Sequence, residues 1–301
     1  MCEARVMFCQ QAKTSEAGSG KFVFDEKQII VDHIDFECET LDFVVSERRM
    51  TFILQSVNIF NMQNEWDKRF SGTLGEEYNL FKLSVPHHDE FQDKITEILA
   101  AFSPSNKMLE VLEGGTGTGL TTFRILNAKD NIRVTTIDNE EKTLNQAKEI
   151  LKEKGDKIKF VNDDLLKFLK LCPDNQFDAF VSAYVIHNLK PDYRLELFKE
   201  ISRVLKTGGI FINADKYAYD DKKLQNEALQ NQIKAFGVYE QIGRPDVKEE
   251  WTRHYYEDEE IKITENEQKE ILQNLGFSEI QIVYRKGMES IITAYKQGRE
   301  S

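Results

Sequence analysis

Short apolar runs alternate with amphipathic stretches between Met108 and Lys216. The runs are rich in β-branched and aromatic residues, as buried strands are, and the stretches between them have helical spacing. The strand candidates are residues 108–113, 133–138, 157–161, 177–183 and 210–213, and the helix candidates are residues 140–154 and 195–205. We predict that residues 207–209 (TGG) end the second helix as a glycine C-cap. Strands that alternate with helices predict an α/β fold, with a Rossmann-like, mostly parallel sheet and helices on both faces.

The C-terminal end of the chain follows a different pattern. A helical stretch at residues 266–275 is followed by FSEIQIVYR and ESIITAYK, with Lys286-Gly287 between the two. Two strands joined by a short turn that contains glycine form an antiparallel β-hairpin. The five parallel strands and this hairpin together predict a seven-stranded sheet.

The N-terminal part of the chain and one internal segment stand apart from this alternation. We expect a mobile leader at residues 1–20, a β-rich extension at residues 21–60, and the main domain at residues 61–301. Residues 216–262 form an insertion rich in aromatic side chains. This insertion either closes an apolar substrate pocket as a lid or is a helical subdomain with its own core.

Net charge and cysteine content limit the classes of function. The chain carries 40 basic and 52 acidic side chains, a formal net charge of −12, which argues against attachment to nucleic acid or an anionic membrane by bulk charge. Its four cysteines form no CxxC pair. Its central apolar stretch, residues 180–186, is far shorter than the ~20 residues of a membrane helix. We therefore expect a soluble cytoplasmic protein, without a nucleic-acid or membrane partner.

A glycine-rich loop follows the first predicted strand. Residues 113–119 read EGGTGTG, so the strand-end carboxylate of Glu113 lies beside the loop. Glycine lets a backbone turn sharply and approach a ligand closely. A dinucleotide fingerprint would need glycine where Leu120 stands, and a phosphate loop would need a GK[ST] sequence. The loop therefore favours a ligand with an adenosine end and an amino-acid end; a generic turn between strand and helix is the alternative.

Acidic residues end the next two predicted strands. Asp138 ends the second strand, where a carboxylate binds the ribose hydroxyls of a nucleoside. Asp164 follows the third strand, and its carboxylate can accept a hydrogen bond from an adenine amino group while Leu165 covers the ring. Both acids also stand where helix N-caps are expected, and for Asp138 the two roles can hold at once.

The chain resembles the class I S-adenosylmethionine-dependent methyltransferases in the order of its segments EGGTGTG, TTIDN, FVNDDL, FDAFVSAYVIHNL and LFKEISRVLKTGGIFIN and in its final hairpin. The resemblance covers residues 66–296 and implies S-adenosyl-L-methionine as cofactor and S-adenosyl-L-homocysteine as product. It further implies that the glycine loop binds the methionyl part, Asp138 the ribose, and Asp164 with Leu165 the adenine. Gly114 departs from the family, which usually has an apolar residue there. The other expected cofactor contacts are Glu113, Gly115, Gly117, Gly119 and Ser182.

Two branches of that family are the most similar. One contains small-molecule methyltransferases with an IHHL-like segment after strand four, here residues 186–189 (IHNL). The other contains the carboxy-S-adenosylmethionine synthases of tRNA wobble-uridine modification. Both carry a Pro-x-Tyr before the helix that leads to the glycine loop, so His88 stands where their cofactor-contacting Tyr does. Both also carry an Arg at the spacing that Arg253 has to Gly276-Phe277, and in the synthases this Arg holds a carboxylate ligand.

The candidate chemistry on the acceptor side rests on His187 and Arg253. His187 follows strand four at the sheet edge where α/β enzymes bind substrates, and a neutral imidazole there can take a proton from a hydroxyl or amine. Packing within its loop is the alternative role. Arg253 offers a forked donor to an anionic group of the acceptor, unless it pairs with the acids of residues 257–260. Because His87 and His88 diverge as helix neighbours, we expect no metal site.

Three functions remain open on the sequence. The leading hypothesis is methyl transfer from S-adenosylmethionine to an O or N atom of a small molecule that bears an anionic group. The second is a carboxy-S-adenosylmethionine synthase-like enzyme of tRNA modification. The third is a non-catalytic cofactor-binding module. In each case the N-terminal extension is a candidate interface for a homo-oligomer.

Overall fold

The computed structural model describes residues 62–63, 78–104 and 108–298. The leader and the β-rich extension that we predict for residues 1–20 and 21–60 lie outside the described residues. Within the described ranges, no helix is both long enough and apolar enough to cross a membrane.

One sheet of seven strands lies at the centre of the described part of the chain. Its strands are β1 (Leu109–Gly114), β2 (Ile132–Asp138), β3 (Ile158–Asn162), β4 (Phe177–Ala183), β5 (Leu205–Lys216), β6 (Phe277–Lys286) and β7 (Glu289–Lys296). Their order is β3-β2-β1-β4-β5-β7-β6. Strands β1 to β5 pair in parallel, whereas β7 pairs antiparallel with both β5 and β6. The predicted Rossmann-like sheet with a C-terminal hairpin is therefore confirmed.

Helices connect these strands and cover both faces of the sheet. In the described ranges they are α1 (His88–Ala101), α2 (Leu120–Ala128), α3 (Glu141–Ile150), α4 (Leu165–Leu171), α5 (Pro191–Val204), α6 (Lys222–Ala235), α7 (Gly237–Gln241), α8 (Pro245–Asp258) and α9 (Glu265–Asn274). Short 3₁₀ helices span Tyr78–Leu83, Lys152–Lys157 and Ile186–Asn188. The last of them follows β4 directly and carries His187.

Two hydrophobic cores result from the alternation of side chains along the strands. In β4, Ala179 and Val181 belong to the core under α1, α2 and α8, whereas Phe177 and Phe180 belong to the core under α4 and α5. Successive strand residues point to opposite faces, so a strand apolar at nearly every position is buried on both sides. This is why the central strands read as continuous apolar runs.

The helix before β5 ends differently from the prediction. Helix α5 ends at Val204, the chain is extended at Leu205, and residues 207–209 lie within β5. The predicted glycine C-cap is therefore wrong. Gly208 has φ +76°, and a Cβ on Gly209 would lie 2.8 Å from the carbonyl oxygen of Lys206, so these glycines accommodate an irregular start of the strand.

The aromatic insertion, residues 216–262, has no separate core. Its helices α6, α7 and α8 bury Phe236, Tyr239 and Trp251 in the same core as Phe81. The ring centroids of Phe81 and Trp251 are 4.7 Å apart. The alternative of a subdomain with its own core is wrong, because these side chains pack against the main domain.

Candidate active site

The carboxyl ends of β1 and β4 meet at the centre of the sheet. The strand order reverses between these two neighbours, and ligands of open α/β sheets bind in the crevice at such a point. Gly114 of β1 pairs with Ser182 of β4. The glycine loop after β1 and the 3₁₀ helix after β4 therefore border the same crevice.

The glycine loop turns by means of three residues with positive φ. Gly115, Gly117 and Gly119 have φ values of +84°, +49° and +86°. A Cβ on Gly115 would lie 2.2 Å from Cγ2 of Val185, whereas one on Gly117 would meet nothing within 4 Å. The loop is thus packed against the segment after β4 at Gly115 and open at Gly117.

Asp138 ties the loop to the next helix. Its Oδ2 accepts a hydrogen bond from the Gly117 N–H at 2.7 Å, and its Oδ1 accepts one from the Glu140 N–H at 2.9 Å. Burial raises the pKa of this carboxyl above its usual value. Glu140, rather than Asp138, is the N-cap residue of α3. Each carboxylate oxygen keeps a further lone pair for a hydroxyl donor.

Asp164 is the N-cap of α4. Its Oδ1 accepts from the Lys167 N–H at 2.8 Å, and its Oδ2 accepts from the Tyr193 hydroxyl at 2.9 Å. Burial raises its pKa. The side chain of the neighbouring Asp163 is 29% exposed and lies at the same strand end. The adenine contact predicted for Asp164 stays a prediction, and Asp163 offers a second carboxylate for it.

Leu165 and Gly114 fit together behind the loop. A Cβ on Gly114 would lie 2.7 Å from Cδ2 of Leu165 and 3.2 Å from the Phe180 ring. The glycine therefore leaves room for these two side chains. This close packing explains why glycine stands here, where the family that the chain resembles usually has an apolar residue.

Two buried polar atoms lie at the carboxyl ends of β1 and β4 without hydrogen-bond partners among the described residues. Glu113 is fully buried; its Oε2 accepts from the Thr122 hydroxyl at 2.6 Å, but its Oε1 accepts from no group. The hydroxyl of Ser182, also fully buried, is unpartnered as well. Burial raises the pKa of Glu113 to about 8. Such atoms indicate a ligand or water site, because unsatisfied buried polar groups are costly.

His187 forms a close pair with a carboxylate at the end of β5. Its Nδ1 lies 2.5 Å from Oδ1 of Asp215, and its backbone N–H donates to Oδ2 of Asp215 at 2.9 Å. Both side chains are buried. The pair fixes the ring orientation and directs Nε2 away from Asp215. His187 lies two residues after Val185, the residue that packs against Gly115 of the glycine loop.

Further charged groups surround the Nε2 side of His187. Oδ2 of Asp258 lies 3.8 Å from this Nε2 and 3.5 Å from Nε2 of His254. The ammonium of Lys216 forms an ion pair with the same oxygen and lies 3.7 Å from the centre of the Tyr255 ring. A pocket opens here, and its walls include Leu229, Lys262 and Met288 as well as residues of this cluster.

Comparison with known proteins identifies the fold. Residues 111–209 match a family model described as a methyltransferase domain. A carboxy-S-adenosyl-L-methionine synthase of Nautilia profundicola is 28% identical over 235 residues, which cover 78% of this chain and 95% of that protein. The same-named protein of Campylobacter curvus is 28% identical over 71% of this chain and 87% of its own. A candidate S-adenosyl-L-methionine-dependent methyltransferase of Methanococcus maripaludis has the same fold, with a TM-score of 0.50 and 19% identity over 75% of this chain and 93% of that one.

Residues 111–209 are a methyltransferase domain, and the described part of the chain has the fold of the class I S-adenosylmethionine-dependent methyltransferases. The cofactor of this family is S-adenosyl-L-methionine. The residues of the crevice fit that molecule. The open face of Gly117 can take a ligand against the backbone, and the unpartnered atoms of Glu113 and Ser182 suit its polar amino-acid end. The carboxylate of Asp138, already fixed by two backbone groups, suits its ribose.

His88 packs against Tyr184, in the segment that follows β4. It is buried in the first turn of α1, and its ring stacks on Tyr184 with centroids 5.9 Å apart and planes 5° apart. Burial lowers the pKa of the imidazole, which favours its neutral form. Tyr184 directly precedes Val185, the residue packed on the glycine loop. A direct contact of His88 with the cofactor stays a prediction.

Arg253 lies elsewhere than expected. Its side chain is 54% exposed, forms an ion pair with Glu250, and has Glu257 at 4.0 Å. The prediction that Arg253 lies beside His187 on the acceptor side is therefore wrong. Helix α8 turns His254 and Asp258 inward, and Arg253 lies on its outer face.

Sequence reasoning missed the partners of His187. Asp215 is in the FINAD segment of β5, and Asp258 is in the aromatic insertion. The ends of β4 and β5 are neighbours in a parallel sheet, so a carboxylate at the end of β5 could have been paired with a histidine after β4. No signal along the chain points to Asp258, because the packing of α8 brings it there.

Proposed function

We propose that this methyltransferase transfers the methyl group of S-adenosyl-L-methionine to an O or N atom of a small molecule, with His187 as general base. The observation that carries the proposal is the buried His187–Asp215 pair at the carboxyl ends of β4 and β5. A histidine oriented by a carboxylate is a recurrent arrangement for proton removal.

The pair sets the direction of proton transfer. With Nδ1–H donating to Asp215, Nε2 of His187 carries a lone pair and faces the pocket. The bound cofactor supplies a methyl group activated by a positive sulfur. As the carbon–sulfur bond breaks and the new carbon–oxygen or carbon–nitrogen bond forms, Nε2 accepts the proton of the acceptor. Asp215 then stabilises the imidazolium. Such a base contributes about 10²- to 10⁴-fold to the rate.

The pocket suggests the kind of acceptor. Leu229, Tyr255 and Met288 form apolar walls that favour an acceptor with apolar groups, although the pocket has room for about one water molecule and must widen to admit the acceptor. Lys262 lines the same pocket and pairs with Glu259 at 2.8 Å, so an anionic group of the acceptor would meet Lys262 by displacing that carboxylate.

The direct test is methyl transfer from S-adenosylmethionine that carries a deuterated methyl group. The purified chain is incubated with mixtures of small phenols, alcohols and amines with and without a carboxylate, and mass spectrometry detects labelled products. We expect a labelled product with the wild type and a strongly reduced yield with His187→Asn. A labelled product that forms equally well with His187→Asn would rule out the proposed base.

A second candidate function is supported by the relatives. Those of Nautilia profundicola and Campylobacter curvus are named carboxy-S-adenosyl-L-methionine synthase and match over most of their length. The second candidate is therefore synthesis of carboxy-S-adenosyl-L-methionine. It is separated from the first by mass spectrometry of ligand released from the purified protein. A ligand heavier than S-adenosylmethionine by one carbon dioxide supports the synthase, and unmodified S-adenosylmethionine or S-adenosylhomocysteine supports methyl transfer.

Assembly of the chain is a separate proposal. We expect a homo-oligomer that forms through the extension at residues 21–60. The small-molecule acceptor is the other molecule that we expect the chain to bind. Light scattering of the full chain and of a chain starting at Gln63 would compare their masses in solution. Equal association of both chains would exclude the extension as the interface.

A further inference from the structure

Two imidazoles and a carboxylate converge on one point beside the pocket. Nε2 of His187 and Nε2 of His254 lie 3.8 Å and 3.5 Å from Oδ2 of Asp258, and all three atoms lie within 4.8 Å of one another. All three side chains are buried. Two imidazole nitrogens and one carboxylate oxygen are a ligand set of catalytic zinc and non-haem iron sites.

Asp215 and helix α8 fix the orientation of these three donor side chains. Asp215 holds Nδ1 of His187, which leaves Nε2 with the lone pair that coordination requires. A carboxylate on the far nitrogen of a metal-bound histidine is the usual supporting contact in metal sites. His254 and Asp258 are four residues apart on α8 and therefore share one face of that helix.

The spacing of the donors suits a small cation. Two of the donor separations are 3.8 Å and 3.5 Å, against about 3.4 Å between two ligand atoms of a tetrahedral zinc ion. Shifts of a few tenths of an ångström would close the difference. The pocket on the open side leaves space for a fourth ligand, such as an oxygen of a small molecule.

A cation already lies against this cluster. The ammonium of Lys216 pairs with the same Oδ2 of Asp258 that faces both imidazoles, and it lies over the Tyr255 ring. The cluster therefore attracts positive charge. Lys216 and a metal ion are alternative cations for one oxygen, so the lysine must move away when a metal binds.

We propose that His187, His254 and Asp258 bind a divalent transition-metal ion, with the fourth position open to the pocket. This site goes beyond the proposed function and does not depend on it. The ion takes the lone pair of His187 Nε2, so the metal-bound chain cannot use His187 as a base. The ion instead holds an oxygen ligand of the pocket as a Lewis acid.

Cobalt(II) is a suitable probe because its visible absorption reports coordination number. The full chain is freed of metal with a chelator, titrated with cobalt(II), and then competed with zinc(II). We expect one ion per chain with a four-coordinate spectrum. His254→Ala and Asp258→Asn should each weaken binding by about 10- to 100-fold or more, and Asp215→Asn should weaken it by about 10- to 100-fold. His87→Ala, a histidine outside the cluster, should bind as the wild type does.

Lys216→Met provides the decisive variant, since it keeps all three ligands and removes the competing cation. We expect it to bind cobalt(II) more tightly than the wild type by about tenfold or more. Absence of a four-coordinate spectrum in both the wild type and Lys216→Met overturns the proposal. So does a spectrum that survives in a folded His254→Ala.

Failure of this site and failure of the proposed function are distinguishable. The cobalt(II) titration needs neither S-adenosylmethionine nor an acceptor. Metal binding, together with no labelled methyl product from the metal-free chain, would leave the site standing and count against methyl transfer. A labelled product from a chain that binds no cobalt(II) would support methyl transfer and overturn the metal site.

Discussion

Nδ1 of His187 and Oδ1 of Asp215 lie 2.5 Å apart, and Asp215 also accepts a hydrogen bond from the backbone N–H of His187. The two contacts hold both the ring and the backbone of one residue to one carboxylate. The 3₁₀ helix after β4 is thereby attached to the end of β5, and the imidazole cannot rotate without losing its partner. This pair is the central element of the proposed chemistry.

His187→Asn should lower kcat for methyl transfer by about 10²- to 10⁴-fold, because the general base is lost. Affinity for S-adenosylhomocysteine should stay within about twofold, since the cofactor contacts lie on the glycine-loop side. Steady-state kinetics together with calorimetric titration measure both quantities. His87→Ala is the matched control and should change neither. A fall in cofactor affinity as large as the fall in kcat would assign His187 to cofactor binding instead.

Glu113→Gln should change the pH dependence of stability. Burial raises the Glu113 pKa to about 8 in the folded chain against 4.5 in the unfolded one, so the folded chain holds this proton more tightly. Its contribution is therefore fully present below pH 4.5 and is lost as pH rises through 8, by up to about 4–5 kcal/mol. Glutamine cannot ionise and should remove this loss.

Urea unfolding of the cofactor-free wild type and of Glu113→Gln, from pH 5 to 9, measures the effect. The difference in unfolding free energy should shift in favour of the variant as pH rises. A constant difference over that range would mean that Glu113 is ionised in the folded chain.

Gly117→Ala should weaken S-adenosylhomocysteine binding by about tenfold or more, since the added methyl group enters the open space at the loop. Gly117 has φ +49°, so alanine also costs about 1–2 kcal/mol of stability through backbone strain. Gly208→Ala is the control: its φ is +76°, and its Cβ would also meet nothing within 4 Å. Equal cofactor affinity in both variants would place the ligand away from Gly117.

Asp138→Ala should weaken both cofactor binding and folding. It removes the acceptor of the Gly117 and Glu140 N–H groups, a loss of about 1–3 kcal/mol in unfolding free energy, and weakens ribose binding by about 1.5–3 kcal/mol. Asp138→Asn keeps one carbonyl oxygen and should lose less on both counts. Thermal unfolding and titration with S-adenosylhomocysteine separate the two effects. Wild-type affinity in Asp138→Ala would leave it a purely structural role.

Arg253→Ala should leave methyl transfer and cofactor affinity unchanged within about twofold, because the side chain is exposed and its ion pairs are on the surface. The same measurements as for His187→Asn test this. Loss of activity in Arg253→Ala would favour the synthase candidate, in whose branch the corresponding Arg holds a carboxylate ligand.

The sheet, the glycine loop and the acids beside it could be predicted because their signals are local. Apolar runs such as residues 177–183 mark buried strands, and the positive φ of Gly115 and Gly119 is met at low cost only by glycine. Each of these properties depends on residues near one another in the chain. The end of α5 was missed because the glycines at 208 and 209 fit an irregular strand as well as a helix cap.

Tertiary packing alone decided which side chains of α8 lie near His187. Arg253 and His254 are neighbours in the chain, yet α8 exposes the first and buries the second. Which face of a helix turns inward depends on what it packs against, and here that is the main core and the ends of β4 and β5. The amino-acid sequence thus determined the sheet and its glycine loop, whereas the packing of α8 determined that Asp258, and not Arg253, lies near Nε2 of His187.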